Sequence, residues 1–399
     1  MTMRKERRNN QPFAPQARRR PGVASRGGLL VNQGGLPTHL SERVGGVCCF
    51  TRGVCQHIRL RQKLRATAFV LLAMVSFAGA SGWCRPEKIS CAADAIGSDG
   101  KAGCRENPKK VDRLSIKGPG VYENLLVDGA WGESTLVKIV ADDVTLRNCE
   151  IQSGRHNAVL VVGKNVVIES CKIHHVLAGT FKDQKDAHGI TGQPTMLVIR
   201  NCEISMVSGD CIQFDPGRGP WDDVLVENCT FRTGPLESDA AGFKKGERPG
   251  ENAVDTKQKV SNPRSRMTIR NCLFEGWKQP GQVSNLAALN LKNHVEVKVE
   301  NCLFRDNEIC LRLRGGEGEY GGALVSVERC AVYDSAVAVR IEDKIGDLKI
   351  RGLGIGGGIG KKVVYAGGGA GPGFELSGEF EPPRFEAAKK GGLMNPGER

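Results

Sequence analysis

"VTLRNCEI", residues 144–151, decides the fold because it comes back. It returns as "VVIESCKI" (166–173), "LVIRNCEI" (197–204), "VLVENCTF" (224–231), "MTIRNCLF" (267–274), "VKVENCLF" (297–304) and "VSVERCAV" (325–332). The repeated cysteines, Cys149, Cys171, Cys202, Cys229, Cys272, Cys302 and Cys330, are separated by 22, 31, 27, 43, 30 and 28 residues. A floor near 22 with variable excess describes a fixed coil interrupted by loops of changing length.

Each phrase reads as strand, corner, strand. Apolar residues alternate before the corner, the period of a strand with one buried face. Asn stands at the corner in five of the seven copies. It tolerates the left-handed backbone that a tight corner needs. Cys follows as a small inward residue, and an apolar residue two positions later points inward again.

A further strand precedes each phrase: "NAVLVV" (157–162), "AHGITG" (187–192), "DCIQFD" (210–215), "NAVDTK" (252–257), "AALNLK" (287–292), "ICLRLR" (309–314) and "VAVRIE" (337–342). Aligned in this way, one inward column runs Val159, Gly189, Ile212, Val254, Leu289, Leu311, Val339. The other runs Val161, Thr191, Phe214, Thr256, Leu291, Leu313, Ile341. The interleaved residues point outward. Three short parallel strands per turn, with no helical return segment, predict an all-β solenoid. Over residues 111–355 the chain resembles the right-handed parallel β-helix of the pectate-lyase-like superfamily. The expected fold is a single-stranded right-handed parallel β-helix of about eight rungs with a short N-terminal cap. A leucine-rich repeat also ends strands near Asn, but its return segments have a regular length that these loops lack.

Stacking also reads most of the cysteines. Rung neighbours stand about 4.8 Å apart, wider than the ~3.8 Å Cβ separation of a disulfide. The seven repeat cysteines are therefore expected as a reduced, buried ladder. Cys84, Cys91 and Cys104 precede the coil and are candidates for one bridge. No spacing matches a zinc pattern.

The outward columns carry the chemistry. One runs Leu160, Ile190, Gln213, Asp255, Asn290, Arg312, Arg340, and the other Val162, Gly192, Asp215, Lys257, Lys292, Arg314, Glu342. The face is apolar at its N-terminal end and densely charged from Asp215 onward. Loops 177–186, 234–251, 216–223, 258–266 and 315–322 flank it, with Trp221, Phe243 and Tyr320 as candidate sugar-stacking aromatics.

In the superfamily this face commonly binds acidic polysaccharides, and many members are lyases that act by β-elimination from a uronic acid. The resemblance implies Lys257 as the base, with Lys292 as the second candidate. Lys292 on the next rung and the Arg pair beyond it are expected to lower the Lys257 pKa. Asp215, Asp255 and Asp210 are candidate Ca²⁺ ligands. Arg312 and Arg314, with Arg340, Asn290 and Gln213, are candidates for holding the substrate. Two other readings stand beside this one: a non-catalytic glycan-binding or structural surface protein, and a hydrolase similar to polygalacturonases. "SGDC" (208–211), "AHG" (187–189) and "RIE" (340–342) echo the hydrolase motifs in part. The second Asp is missing, the His comes too early, and Glu342 replaces a Lys. His188 reads as a structural or groove residue.

The net charge of +13 does not point to nucleic acid. Residues 1–66 hold 14 Lys and Arg against Glu6 and Glu42, which leaves +1 for the remaining 333 residues. Residues 59–80, "RLRQKLR" followed by "ATAFVLLAMVSFAGA", have the basic and apolar regions of a secretion signal, with Ala78-Gly79-Ala80 at the cleavage position. An exported monomer is expected, without stable membrane insertion once the signal is removed. Residues 1–58 are either a disordered extension or the product of a start codon placed too far upstream. Residues 81–110 are expected to form the cap, 111–365 the coil, and 366–399 a flexible Gly- and Pro-rich tail.

Overall fold

The seven corners take the backbone that the repeated phrase predicts. Asn148, Ser170, Asn201, Asn228, Asn271, Asn301 and Arg329 all have φ between 48° and 54°. This left-handed region costs an ordinary L-residue about 1–2 kcal/mol, and Asn is among the few side chains that visit it routinely. The structure is a computed structural model that describes residues 95–393, apart from 218, 280–282, 284–285, 317–320, 343–344 and 367–373. Residues 1–58, the signal segment 59–80, Cys84, Cys91 and Tyr320 lie outside the described residues.

The chain winds as a right-handed parallel β-helix. The two halves of each phrase form two parallel ladders. Thr195–Arg200 pairs with Lys164–Glu169 and Asp222–Glu227, and Glu203–Val207 pairs with Lys172–Val176 and Thr230–Arg232. The third ladder carries the charged face. Its strands are β1 (Leu114–Ile116), β2 (Val137–Ile139), β3 (Val159–Val161), β4 (Ile190–Gly192), β5 (Ile212–Phe214), β6 (Asn252–Thr256), β7 (Ala287–Leu291), β8 (Ile309–Arg314), β9 (Val337–Glu342) and β10 (Lys361–Ala366). Among the described residues this ladder has ten parallel strands, of which β1, β2 and β10 lie beyond the seven aligned copies.

The inward residues form one continuous core. All seven repeat cysteines are buried and free. Their thiols lie against backbone carbonyls, as Cys229 Sγ does at 3.2 Å from the Glu227 oxygen. Phe231, Phe274 and Phe304 stack at 5.0 Å centroid spacing, the same side chain repeated on successive rungs.

Two expectations change. Strand β4 is displaced by one residue from the sequence alignment: Ile190 pairs with Val159 and Ile212, so Ile190 points inward and Thr191 outward. Gly192 then takes the place of an inward apolar residue. A Cβ there would fall 2.0 Å from the Val161 oxygen at φ +130°, so only glycine fits. Residues 104–108 lie against the first rung, where Arg105 N–H donates to Asn124 Oδ1 at 2.8 Å. The preceding residues run along the corners, where Gly97 and Gly103 donate backbone N–H groups to the Asn271 and Ser170 carbonyls. The C-terminal segment is not a loose tail over its described residues. Glu375–Ser377 adds a strand, and the helix α1 (Phe385–Gly391) buries Ala388 in a cluster with Ile96, Leu273, Leu303 and Tyr333.

The corners make a direct test. Asn228→Val should cost about 1–2 kcal/mol, because a β-branched residue is forced into the left-handed region, whereas Asn228→Gly should cost less. Urea unfolding midpoints of the two variants measure the difference.

Candidate functional site

The alternation of β6 puts Val254 and Thr256 into the core and Asp255 and Lys257 onto the outer face. The backbone of Lys257 is fixed at both ends. Its N–H donates to the Phe214 oxygen at 3.1 Å, and its carbonyl accepts from Trp221 Nε1 at 2.8 Å. Trp221 is wholly buried against Phe214, so it holds this strand end and is not a sugar platform. Phe243 is likewise buried, with Leu177 and Leu236, in a small core between the 177–186 and 234–251 loops.

Asp255 is the centre of the patch. Its side chain is 4% exposed and lies under two ammonium groups. Lys292 Nζ sits 2.9 Å from Oδ1 and Lys257 Nζ 3.6 Å from Oδ2. Asn290 Nδ2 also donates to Oδ1 at 2.9 Å. Lys257 reaches sideways to Gln213 Oε1 at 2.8 Å. The structure thus brings Gln213, Asp255, Lys257, Asn290 and Lys292 together in one cluster.

Their electrostatics differ from the expectation. Burial by itself would depress the Lys257 pKa, but Asp255, with Asp210, Asp215 and Asp186, outweighs it and holds the ammonium above the ordinary lysine value. Neighbouring cations do not set this group; neighbouring carboxylates do. Alignment placed the cations correctly but did not show that Asp255 lies between them.

The arginines also have a partner of their own. Arg312 Nε and Nη2 both lie 3.0 Å from the Glu342 carboxylate. Arg314 Nε is at 3.2 Å and Arg340 Nε at 2.5 Å from the same group. Three guanidinium groups on one carboxylate form an ion cluster built into the face. Burial opposes ionisation of Glu342, but the hydrogen bonds and charge of Arg312, with Arg340 and Arg314, hold its carboxyl below the usual range. Arg312, Arg314 and Arg340 thus anchor this face before they hold any substrate.

The residues present do not fit a calcium cage. Ca²⁺ takes about 6–8 oxygen ligands. Both Asp255 oxygens face ammonium groups, and Asp210 is completely buried, with Asn252 Nδ2 on its Oδ1 at 2.7 Å. Of the three candidate ligands only Asp215 is part-exposed, and among the described residues no three His, Cys, Asp or Glu side chains converge to hold a metal. Burial, reinforced by Asp255 and Glu251, instead pushes the Asp210 carboxyl well above the usual carboxylate range.

The residue that sequence reasoning undervalued is His188. It is 6% exposed and lies beneath the patch. Its Nδ1 receives the Asp210 backbone N–H at 3.0 Å, and its Nε2 is 3.0 Å from the Gln213 amide. Burial lowers its pKa despite the nearby carboxylates, so the ring is neutral at neutral pH. The displaced register of β4 hid it, because the alignment put Ala187 where His188 stands.

The chain belongs to the right-handed β-helix family: the family model for the right handed beta helix region matches residues 135–352. Among solved structures it is similar to pectate lyase Pel9A, at 11% identity and a TM-score of 0.41, over 68% of this chain and 69% of that one. It is also similar to the A-module of the mannuronan C-5 epimerase AlgE6 of Azotobacter vinelandii, at 14% identity and a TM-score of 0.31, over 69% of this chain and 91% of that one. A third likeness is to tailspike protein gp49 of the Acinetobacter baumannii bacteriophage Fri1, a capsular polysaccharide depolymerase. There the identity is 13% and the TM-score 0.35, over 72% of this chain and 52% of that one. No curated protein matches the sequence.

The Glu342 cluster yields a pH prediction. A carboxyl whose folded pKa is depressed contributes stability above its ordinary value of 4.5, and that contribution is lost as pH falls through the folded value. Glu342→Gln should cost about 3 kcal/mol at neutral pH, since it leaves three guanidinium groups without their carboxylate. The variant should also lose less stability than the wild type between about pH 5 and about pH 3, measured by urea unfolding.

Proposed function

We propose that the protein acts on an acidic, uronic-acid-containing polysaccharide outside the cytoplasm, as a lyase that cleaves by β-elimination. The observation that carries this reading is the pair Lys257 and Lys292 over one buried carboxylate, Asp255, on a sheet face flanked by loops. Along the two outward columns from Gln213 and Asp215 to Arg340 and Glu342, five cations face three carboxylates. That excess suits a polyanion. Lys292 and Asn290 would receive the sugar carboxylate, and its partial neutralisation would acidify the adjacent C–H. Lys257, partly exposed, would take that proton. Export rests on residues 59–80, outside the described residues; among the described residues no helix is long and apolar enough to cross a membrane.

The raised Lys257 pKa fixes the pH profile that this mechanism must show. The base is active only when neutral, so at every pH below its raised value the active fraction grows about tenfold per pH unit. On a polyuronate substrate, log kcat/KM should climb with unit slope from about pH 7 to about pH 10. Ultraviolet absorbance of the unsaturated product reports it, with calcium and with chelator in parallel. Chelator should leave the rate unchanged, because the residues here do not form a calcium cage. Lys257→Arg keeps the charge but cannot lose its proton at these pH values. It should bind substrate and lose at least about 10²-fold in turnover.

A non-catalytic glycan-binding role is favoured by one feature, the engagement of both lysines by Asp255. It predicts a flat absorbance trace across polyuronates and glycosaminoglycans, with binding retained. The hydrolase reading is weakened because Asp210, in the motif that echoes it, is sealed from solvent.

A further inference from the structure

His188 faces a donor at each ring nitrogen. The Asp210 backbone N–H points at Nδ1 from 3.0 Å, and Gln213 Nε2 points at His188 Nε2 from 3.0 Å. A neutral imidazole has one acceptor and one donor, so it cannot satisfy both. The conflict begins at Lys257. Its ammonium, 2.8 Å from Gln213 Oε1, claims the amide oxygen and turns the amide nitrogen toward the histidine. Gln213 is 8% exposed and His188 6%, and the Lys257 backbone is tied to Phe214 and Trp221.

Two proton arrangements follow. With Lys257 charged, Gln213 Oε1 accepts from it, and His188 Nε2 must be the acceptor for the Gln213 amide. The histidine proton then sits on Nδ1. The nearest oxygen to it, Asp210 Oδ2, is buried without a hydrogen-bond partner but lies 3.7 Å away, beyond hydrogen-bond range, and the Asp210 backbone N–H loses its acceptor, so this first arrangement is left unsatisfied at Nδ1. With Lys257 neutral, the amide turns over. Asp210 N–H donates to Nδ1, His188 Nε2–H donates to Gln213 Oε1, and Gln213 N–H donates to the Lys257 lone pair. Every group in this second chain is satisfied. Lys257 releases one proton on going from the first to the second, and the histidine proton count is unchanged.

We propose that Gln213 is a positioning residue whose amide couples the charge of Lys257 to the tautomer of His188, and so provides the neutral lysine with a complete hydrogen-bond chain. The coupling rests on geometry alone. Its use in catalysis rests on the reading of Lys257 as the base. The charged groups that bear on the pair are Asp255 and Glu251 on or beside β6, Asp210 and Asp215 flanking β5, Asp186 before β4, and Lys292 after β7, across Asp255. They set where Lys257 titrates; the Gln213 amide sets what His188 does when it titrates.

The test needs no substrate. In ¹⁵N-histidine-labelled protein at neutral pH, the ring resonances of His188 should show the proton on Nδ1. In Lys257→Met, where no ammonium claims the amide oxygen, the proton should sit on Nε2. Gln213→Glu gives a second route, because a carboxylate accepts from both neighbours at once. It too should move the proton to Nε2 with Lys257 intact. The same tautomer in the wild type and both variants overturns the coupling, and a switch in Lys257→Met without one in Gln213→Glu overturns the role of Gln213. A switch in both, with no ultraviolet product on any polyuronate, would leave the coupling standing and remove the lyase reading.

Discussion

Parallel stacking at the inter-strand spacing is the constraint on which everything else here depends. Each residue of a rung lies about 4.8 Å from its counterparts above and below, and alternate residues share a face. A side chain that packs well on one rung is therefore favoured on the next, as in the cysteine column and the Phe231–Phe274–Phe304 stack. The same rule concentrates charge on the outside. Asp255, Lys257, Asn290 and Lys292 come from two strands 35 residues apart, yet they share hydrogen bonds because β6 and β7 are in register at Asp255 and Asn290.

Much of this was legible in the sequence, for a physical reason. The repeat samples the same environment seven times, so each column can be averaged over its own copies. Inward columns, corner residues and the outward charged columns all came through. What failed was whatever departs from the average. Strand β4 follows a long loop and has one glycine before it and one within it, Gly189 and Gly192, so the local apolar pattern supports two registers one residue apart. That slip concealed His188. The segments 95–108 and 374–393 lie outside the repeat, and their low hydrophobicity disguised the few apolar residues, Ile96, Phe385, Ala388 and Leu393, that dock them.

The site's electrostatics were illegible for a different reason. A column shows which charges are neighbours but not which atoms meet. The sequence places Lys257, Lys292, Arg312 and Arg314 on adjacent rungs and invites the view that they repel. In the folded protein each cation turns toward a carboxylate, the lysines to Asp255 and the arginines to Glu342. This arrangement reverses the expected shift of Lys257, and among the described residues no three His, Cys, Asp or Glu side chains converge to hold a metal.

On the proposed function, Lys257 and Lys292 define where a uronic-acid chain is held and cleaved. The most direct measurement is a crystal structure of the Lys257→Arg variant with a short oligouronate. One sugar carboxylate should lie against Lys292 and Asn290, with the C–H beside it facing the side chain at position 257. A bound oligosaccharide lying elsewhere on the coil, with this face empty, would contradict it.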